Sequence, residues 1–203
     1  MKKNYSREME SVISSLDGKR PRLLLHSCCG PCSSSVLEYL TRHFDVTVFF
    51  FNPNIQPEEE YEKRLFWQRK VIDRYKGAVG LTAPLYEGGS FTEVSKGLET
   101  LPEGGQRCEN CFLLRLSETA KLAKKERFDY FSTTLTVSPH KNAEMINKIG
   151  FELAEQNSIN WLPADFKKKE GYKRSIELSA EYGLYRQTYC GCLCSQNNSR
   201  TLT

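Results

Sequence analysis

Eight cysteines give this chain its chemical character, and they fall into three groups. The groups are Cys28, Cys29 and Cys32, then Cys108 and Cys111, then Cys190, Cys192 and Cys194. Long stretches without a thiol separate one group from the next. This spacing predicts a metal or redox centre whose ligands are brought together by folding.

The polar N-terminus decides how the thiols are interpreted, because the same cysteines would form disulfides in an oxidising compartment. Residues 1–8 are polar, Leu23–Leu25 is too short for a signal core, and no apolar run approaches transmembrane length. We therefore expect a cytoplasmic protein with no membrane partner. Cys28 and Cys29 are neighbours, which a relaxed disulfide does not allow, so both favour ligation.

Cys28, Cys29, Cys108 and Cys111 would supply four thiolates to one metal centre. The gap between the pairs is much longer than in a zinc ribbon, and spacing alone leaves zinc and an iron–sulfur cluster equally open. Cys32 suits a buried packing position as well as a ligand position. The last group adds a second option, because thiols two residues apart face the same side of an extended chain.

Cys190 and Cys192 flank Gly191 in that last group. A cysteine, glycine, cysteine unit can chelate a second metal or close as a strained, easily reduced disulfide. Either use is compatible with redox chemistry. The spacing gives no specific role to Cys194.

The pattern of apolar residues predicts alternating strands and helices. Predicted strands cover 22–27, 46–51, 81–86, 128–135 and 159–162, and predicted helices cover 31–43, about 57–72, 109–127, 141–156 and 172–182. This alternation implies an α/β fold, a doubly wound parallel sheet of about five strands with helices on both faces. Function in such sheets lies beyond the carboxyl ends of the strands, and the first strand runs directly into Cys28.

Length and composition favour one α/β domain over residues 1–203. The sheet core would occupy 22–163, and a basic, cysteine-rich extension of helical and irregular structure would occupy 164–203. The net charge of +4 is too small to prove a nucleic-acid partner, but basic residues cluster at 167–174 and at 124–127. Either cluster alone is also typical of a solvated surface.

Six ordered motifs between residues 22 and 194 resemble the QueH-type epoxyqueuosine reductases. The motifs are His26-Ser27-Cys28-Cys29-Gly30-Pro31-Cys32, Asn52-Pro53-Asn54-Ile55, Arg107-Cys108-Glu109-Asn110-Cys111, Ser138-Pro139-His140-Lys141, Asp165-Phe166-Lys167-Lys168 and Tyr185-Arg186-Gln187-Thr188-Tyr189-Cys190-Gly191-Cys192. The resemblance implies an adenine nucleotide α-hydrolase-like fold with strand order 3-2-1-4-5, in which the phosphate loop is converted to hold a cluster. It also implies the reaction, a two-electron removal of the epoxide oxygen of epoxyqueuosine in tRNA to give queuosine.

The resemblance further implies a set of site residues and cofactors. Cys28, Cys29, Cys108 and Cys111 would ligate a 4Fe-4S cluster, and Cys190 and Cys192 would be redox-active thiols able to contact an additional iron. No cobalamin is implied. The partners would be the anticodon loop of a tRNA that carries epoxyqueuosine and an unidentified electron donor.

The epoxide oxygen needs a proton donor, and the sequence offers Asp165, Tyr189 and His140 as candidates. For the tRNA phosphates we expect contacts from basic residues of the C-terminal extension, namely Lys167, Lys168, Lys169, Lys173, Arg174 and Arg186. Two other functions are weighed against the reductase. One is an ATP-dependent tRNA sulfur transferase, which needs a glycine- and serine-rich phosphate loop that Cys28-Cys29-Gly30-Pro31 does not provide, and the other is a noncatalytic zinc module that binds RNA.

Overall fold

A sheet of five parallel strands forms the centre of the protein. The computed structural model describes residues 3–200, so the first two residues and the last three of the predicted 164–203 extension lie outside it. The strands are β1 (Arg22–His26), β2 (Asp45–Phe49), β3 (Gly80–Thr82), β4 (Tyr130–Thr133) and β5 (Asn160–Trp161), in the order β3-β2-β1-β4-β5. The predicted α/β class and the 3-2-1-4-5 order are confirmed.

Helices surround this sheet. They are α1 (Tyr5–Ser15), α2 (Gly30–Leu40), α3 (Glu58–Asp73), α4 (Gly89–Ser95), α5 (Gln106–Lys125), α6 (Ala143–Asn157), α7 (Gly171–Glu181) and α8 (Leu193–Arg200), with a 3-10 turn at Thr134–Val137. Within residues 3–200, no helix combines the length and the apolar character that crossing a membrane requires.

The core lies on both faces of the sheet, as a doubly wound fold requires. On one face, Leu23 and Leu25 of β1 pack with apolar residues of α1, α2 and α3. On the other face, Leu24 packs with residues of α5 and α6. All three leucines are fully buried, which explains why β1 reads as a continuous apolar run rather than an alternating one.

Three helices and several strand ends differ from the sequence-based prediction. Helix α1 is absent from the prediction, although Met9 is buried in the core and Val12 and Ile13 pack against it. Helices α4 and α8 are also additional. Strand β4 ends at Thr133 rather than at residue 135, because the Thr133 hydroxyl accepts a hydrogen bond from the Leu135 backbone and the chain turns into the 3-10 segment.

Candidate active site

The carboxyl end of β1 and the first turn of α2 bring three thiols together. The sulfurs of Cys28, Cys29 and Cys32 all lie within 4.8 Å of one another, which is close enough to share a metal ion. Cys29 is the N-terminal cap of α2, and its side chain makes no capping bond to the helix. The positive end of the helix dipole therefore faces sulfur, and it favours the thiolate form.

Tight packing fixes this turn. A β-carbon on Gly30 would lie 2.8 Å from the carbonyl oxygen of Trp67 in α3, so only glycine fits there. Ser27 and Ser33 both donate to Gln68 Oε1, at 2.8 and 3.1 Å. Helix α3 therefore holds the turn in place from one side.

The three thiols share protons unequally. Hydrogen bonds from Cys29 and Cys32 lower the pKa of Cys28 well below its ordinary value. The hydrogen bond with Cys28 raises the pKa of Cys29 to about 12, and hydrogen bonds to Cys28 and Cys29 raise that of Cys32. The Cys29 sulfur also accepts a hydrogen bond from Gln187 Nε2 at 2.9 Å. One thiolate held by two neighbouring thiols is a typical starting state for metal ligation.

A second group of thiols lies at the start of α5 and in the segment before α8. Cys111 and Cys192 pack together with Phe91 in one buried cluster. Burial raises the pKa of Cys111 to about 11 and that of Cys192 to about 12. Cys108, which is partly buried, accepts a hydrogen bond from the Gly104 backbone at 3.2 Å.

The structure distributes the predicted ligands over these two groups. Among the described residues, Cys28, Cys29 and Cys32 form the one set of three or more potential ligands whose atoms all lie within 4.8 Å. Cys108 packs against the same apolar cluster as Cys28 and Cys29, whereas Cys111 lies with Cys192. All eight cysteines are free thiols, including Cys190 and Cys192.

A cavity of about 420 Å³, which we call the thiol cavity, lies beside the first group of thiols and Cys190. Its wall contains Cys28, Cys32 and Cys190. Cys190 also lines a smaller cavity beside Cys108. The thiol cavity is therefore the place where a substrate can meet sulfur from both ends of the chain.

Polar side chains complete the wall of the thiol cavity. They include His140, Lys141, Tyr189, Arg186 and Gln187. His140 is exposed. The Tyr189 hydroxyl donates to the Gln56 carbonyl at 3.1 Å, and burial raises the pKa of Tyr189.

Asp165, the third candidate proton donor, does not line this cavity. Its carboxylate lies 2.8 Å from Lys167 Nζ. It faces two other cavities, both of which are also lined by Lys168. The structure therefore brings two of the three candidate donors to the thiols.

Buried cations around the thiols are a feature that sequence reasoning missed. Arg115 is 1% exposed and donates to Asn52 Oδ1 at 2.6 Å, to His26 Nε2 at 3.3 Å and to the Cys111 sulfur at 3.8 Å. Arg107 is equally buried and donates only to the backbone carbonyls of Leu98, Glu99 and Leu101. Their positions on the apolar face of α5 could have indicated that these arginines are buried.

Lys141, which is partly exposed, is a third cation near the thiols. Burial lowers the pKa of Lys141, but the nearby sulfurs of Cys190, Cys28 and Cys32 outweigh burial and raise the pKa above the ordinary lysine value. Among the described residues, Lys141, Arg107 and Arg115 have no carboxylate partner. Because an unpaired cation removed from water is costly, Arg115 beside the Cys111 sulfur and Lys141 beside Cys28 and Cys190 indicate an anionic centre near these thiols.

Helix α3 positions the third cysteine group. Arg64, which is 1% exposed and pairs with Glu60 at 2.6 Å, donates to the Cys190 carbonyl at 3.1 Å. Gly191 has φ 130°, and its carbonyl accepts from the Gln56 backbone at 2.9 Å. This positive φ favours glycine, and a β-carbon at Gly191 would also crowd the Ile55 side chain at 3.0 Å.

The six predicted tRNA-binding cations differ in how free they are. Lys169 pairs with Glu10, Lys173 with Glu170, and Arg174 with Glu38 and Glu177. Lys167 contacts Asp165, whereas Lys168 is exposed and has no carboxylate partner among the described residues. Arg186 lines the thiol cavity and donates to Ser179 Oγ at 3.0 Å.

Comparisons with known proteins agree with the motifs. The family model described as epoxyqueuosine reductase QueH matches residues 23–198. A Staphylococcus epidermidis protein named epoxyqueuosine reductase QueH is 42% identical, over 94% of this chain and 83% of its own length. A Thermotoga maritima protein of the same name is 38% identical, over 85% of this chain and 89% of its own.

A solved structure shares the fold. It is the U34-tRNA thiolase NcsA from Methanococcus maripaludis with its [4Fe-4S] cluster, which aligns with a TM-score of 0.58 over 98% of this chain and 71% of that chain. The identity is 12%, so the likeness concerns the fold alone.

Proposed function

Because the chain belongs to the QueH family of epoxyqueuosine reductases, we infer that it is an oxidoreductase that deoxygenates epoxyqueuosine in tRNA. The reaction adds two electrons and two protons, breaks both C–O bonds of the epoxide, forms the carbon–carbon double bond of queuosine and releases the oxygen as water. The observation that carries this inference is the thiol cavity, where Cys28, Cys32 and Cys190 line a space open to a nucleoside.

The residues present fit an iron–sulfur cluster. Thiolates are the ligands that such clusters prefer, and the buried Arg115 and the partly exposed Lys141 place positive charge beside the thiols. We propose Cys28, Cys29, Cys108 and Cys111 as ligands of a 4Fe-4S cluster, with Cys32 as a further candidate because its sulfur lies beside Cys28 and Cys29. When bound, the cluster supplies electrons and a Lewis-acidic iron.

Cys190 and Cys192 complete the proposed redox site. Their position between the thiol cavity and Cys111 supports either a redox-active pair or contact with an additional iron. No cobalamin takes part in this scheme. The two electrons come from a separate electron donor.

The surrounding side chains bind and protonate the substrate. We propose His140 as the proton donor, since its exposed ring lines the thiol cavity. Tyr189 is a weaker candidate because its hydroxyl is committed to the Gln56 carbonyl, and Asp165 is weaker still because it contacts Lys167 outside the cavity. Arg186 lies where it can contact the phosphate of the bound nucleotide.

Anaerobic purification tests the cofactor and the reaction together. We expect a brown protein with iron and sulfide that converts epoxyqueuosine in tRNA to queuosine with a chemical reductant. Cys28→Ser and Cys111→Ser should each lose the colour and the turnover, whereas Cys194→Ser, a matched thiol to which we assign no role, should keep the colour. Turnover that survives loss of the cluster would contradict the scheme.

The same preparation separates the alternatives. A colourless protein with zinc would favour a noncatalytic RNA-binding module, and a requirement for ATP would favour a sulfur transferase. Comparison of iron content in Cys32→Ser and Cys108→Ser decides which of these two thiols is a ligand, since removing a ligand lowers iron content and removing a packing residue does not.

A further inference from the structure

A second cavity of about 540 Å³ lies next to the thiol cavity, and we call it the lysine trough. Four lysines line it, namely Lys3, Lys141, Lys167 and Lys168. Lys3 precedes α1, Lys141 precedes α6, and the other two follow β5. Three segments that are remote in sequence therefore contribute positive charge to one concave surface.

The charge of the lysine trough is not cancelled locally. Glu144 and Asp165 also line it, so four cations face two carboxylates. Asp165 contacts Lys167, whereas Lys3 and Lys168 have no carboxylate partner among the described residues. Lys3 Nζ lies 5.6 Å from the centroid of the Phe151 ring. Exposed, unpaired lysines in a concave site favour a phosphate ligand.

The other basic residues nearby differ in this respect. Lys169, Lys173 and Arg174 are held by ion pairs with acids of α1, α2 and α7 or the turn before it. Their positive charge is largely compensated before any nucleic acid arrives. The lysine trough is therefore a better phosphate site than the exposed face of α7.

Lys141 connects the lysine trough to the chemistry. Its side chain lines both the trough and the thiol cavity, where Cys28 and Cys190 lie. A nucleotide in the thiol cavity would continue, through its backbone, past Lys141 into the trough. The positions of Lys3 and Lys168 suit the phosphates of neighbouring nucleotides.

We propose that the lysine trough binds the phosphate backbone of the tRNA strand whose modified nucleotide occupies the thiol cavity. Lys3 belongs to this surface although it lies outside the segment that the QueH family model matches. The proposal rests on the proposed function, because it takes tRNA as the substrate. It extends that function by assigning the neighbouring phosphates to a surface that α1 helps to build.

Binding of the intact holoprotein to an anticodon stem-loop tests the proposal. Fluorescence anisotropy across a salt titration is measured for wild type, for Lys3→Gln/Lys168→Gln, and for Lys124→Gln/Lys125→Gln as a matched control at the far end of α5. Each lost phosphate contact lowers the salt slope by about 0.7 for a single strand, so the trough variant should lose about 1.4 in slope and roughly tenfold in affinity. The control should match wild type.

Three outcomes would overturn the proposal. In the first, the trough variant keeps the wild-type salt slope. In the second, the control loses as much slope as the trough variant. In the third, the trough variant binds tRNA like wild type and loses only the rise in melting temperature that inorganic phosphate gives, which indicates a site for free anions. Wild type that binds no tRNA, or that binds it without reducing epoxyqueuosine, would instead refute the proposed function. The two failures are therefore distinguishable.

Discussion

Arg115 offers the sharpest test of the idea that buried cations stabilise an anionic redox centre. The side chain is 1% exposed, has no carboxylate partner among residues 3–200, and reaches the Cys111 sulfur, His26 and Asn52. Arg115→Met removes the charge and keeps an apolar chain of similar length. We expect the reconstituted cluster to become harder to reduce, because each added electron would no longer be stabilised by the guanidinium.

The distance sets the size of the effect. The Arg115 Nη1 to Cys111 Sγ separation is 3.8 Å. Two unit charges about 4 Å apart interact by about 4 kcal/mol at an effective dielectric constant of about 20. For a one-electron step this corresponds to about 170 mV. Because the charge of a cluster is spread over several sulfurs, we expect the Arg115→Met variant to lower the reduction potential by roughly 50 to 150 mV.

Anaerobic spectroelectrochemical titration of the reconstituted proteins measures this shift, with iron content determined in parallel. Arg115→Lys keeps the charge but loses the forked contacts. We therefore expect it to lower the reduction potential by less than half as much as Arg115→Met does. Arg20→Met, an exposed residue at the opposite end of β1, serves as the surface control. Far-UV circular dichroism of each apoprotein establishes that it folds.

Two results would refute the electrostatic reasoning. The first is an Arg115→Met cluster with the potential of wild type. The second is an Arg115→Lys shift as large as that of Arg115→Met, since the shape of the guanidinium rather than its charge would then control the site.

Two further predictions concern packing and pH. Gly150→Ala would place a β-carbon 2.3 Å from Trp161 Cε2, so we expect a loss of about 1–3 kcal/mol in the free energy of unfolding and a lower melting temperature. Gly89→Ala, whose β-carbon would meet the flexible carboxylate of Glu87, is the control. Equal melting temperatures for Gly150→Ala and Gly89→Ala would contradict the tight contact between Gly150 and Trp161. Burial, together with Arg115, lowers the pKa of His26 to about 3. The unfolded chain therefore binds more protons below pH 6.5, and the free energy of unfolding should fall by up to about 1.4 kcal/mol per pH unit from there towards pH 3. Urea unfolding of the apoprotein should show a flatter profile for His26→Asn, and parallel profiles would count against a neutral, buried His26.

The sheet could be predicted from the sequence because its central strands carry a strong local signal. Leu23–Leu25 and Val46–Phe49 are dense apolar runs bounded by turn residues, and both strands are buried. Helix α1 is missing from the prediction although its local signal is present. Asn4 caps it by accepting a hydrogen bond from the Arg7 backbone, and Met9, Val12 and Ile13 pack inward at helical spacing.

The thiols of the site could also be predicted, but their partners could not. Cysteine spacing points to a centre without any knowledge of the fold. Gln187 contacts Cys29, and the Arg115 guanidinium beside Cys111 also contacts His26 and Asn52, only because the C-terminal segment and α5 pack against the end of β1. Cys32 remained undecided for the same reason, since its distance from Cys28 and Cys29 depends on where α2 begins.

The first turn of α2 explains why a fold shared with nucleotide-using enzymes is suited here to sulfur chemistry. A phosphate needs free backbone N–H groups at that helix end. Pro31 has no N–H group, and sulfur already occupies the approach to the helix. The positive charge beside this turn comes instead from Arg115 and Lys141, which face thiols. Because Lys141 also lines the lysine trough, its substitution would change phosphate binding and the sulfur environment together. Arg115 contacts the sulfur site, whereas Lys3 and Lys168 line the lysine trough and not the thiol cavity. Variants of Arg115 therefore test electron transfer, and variants of Lys3 and Lys168 test tRNA binding.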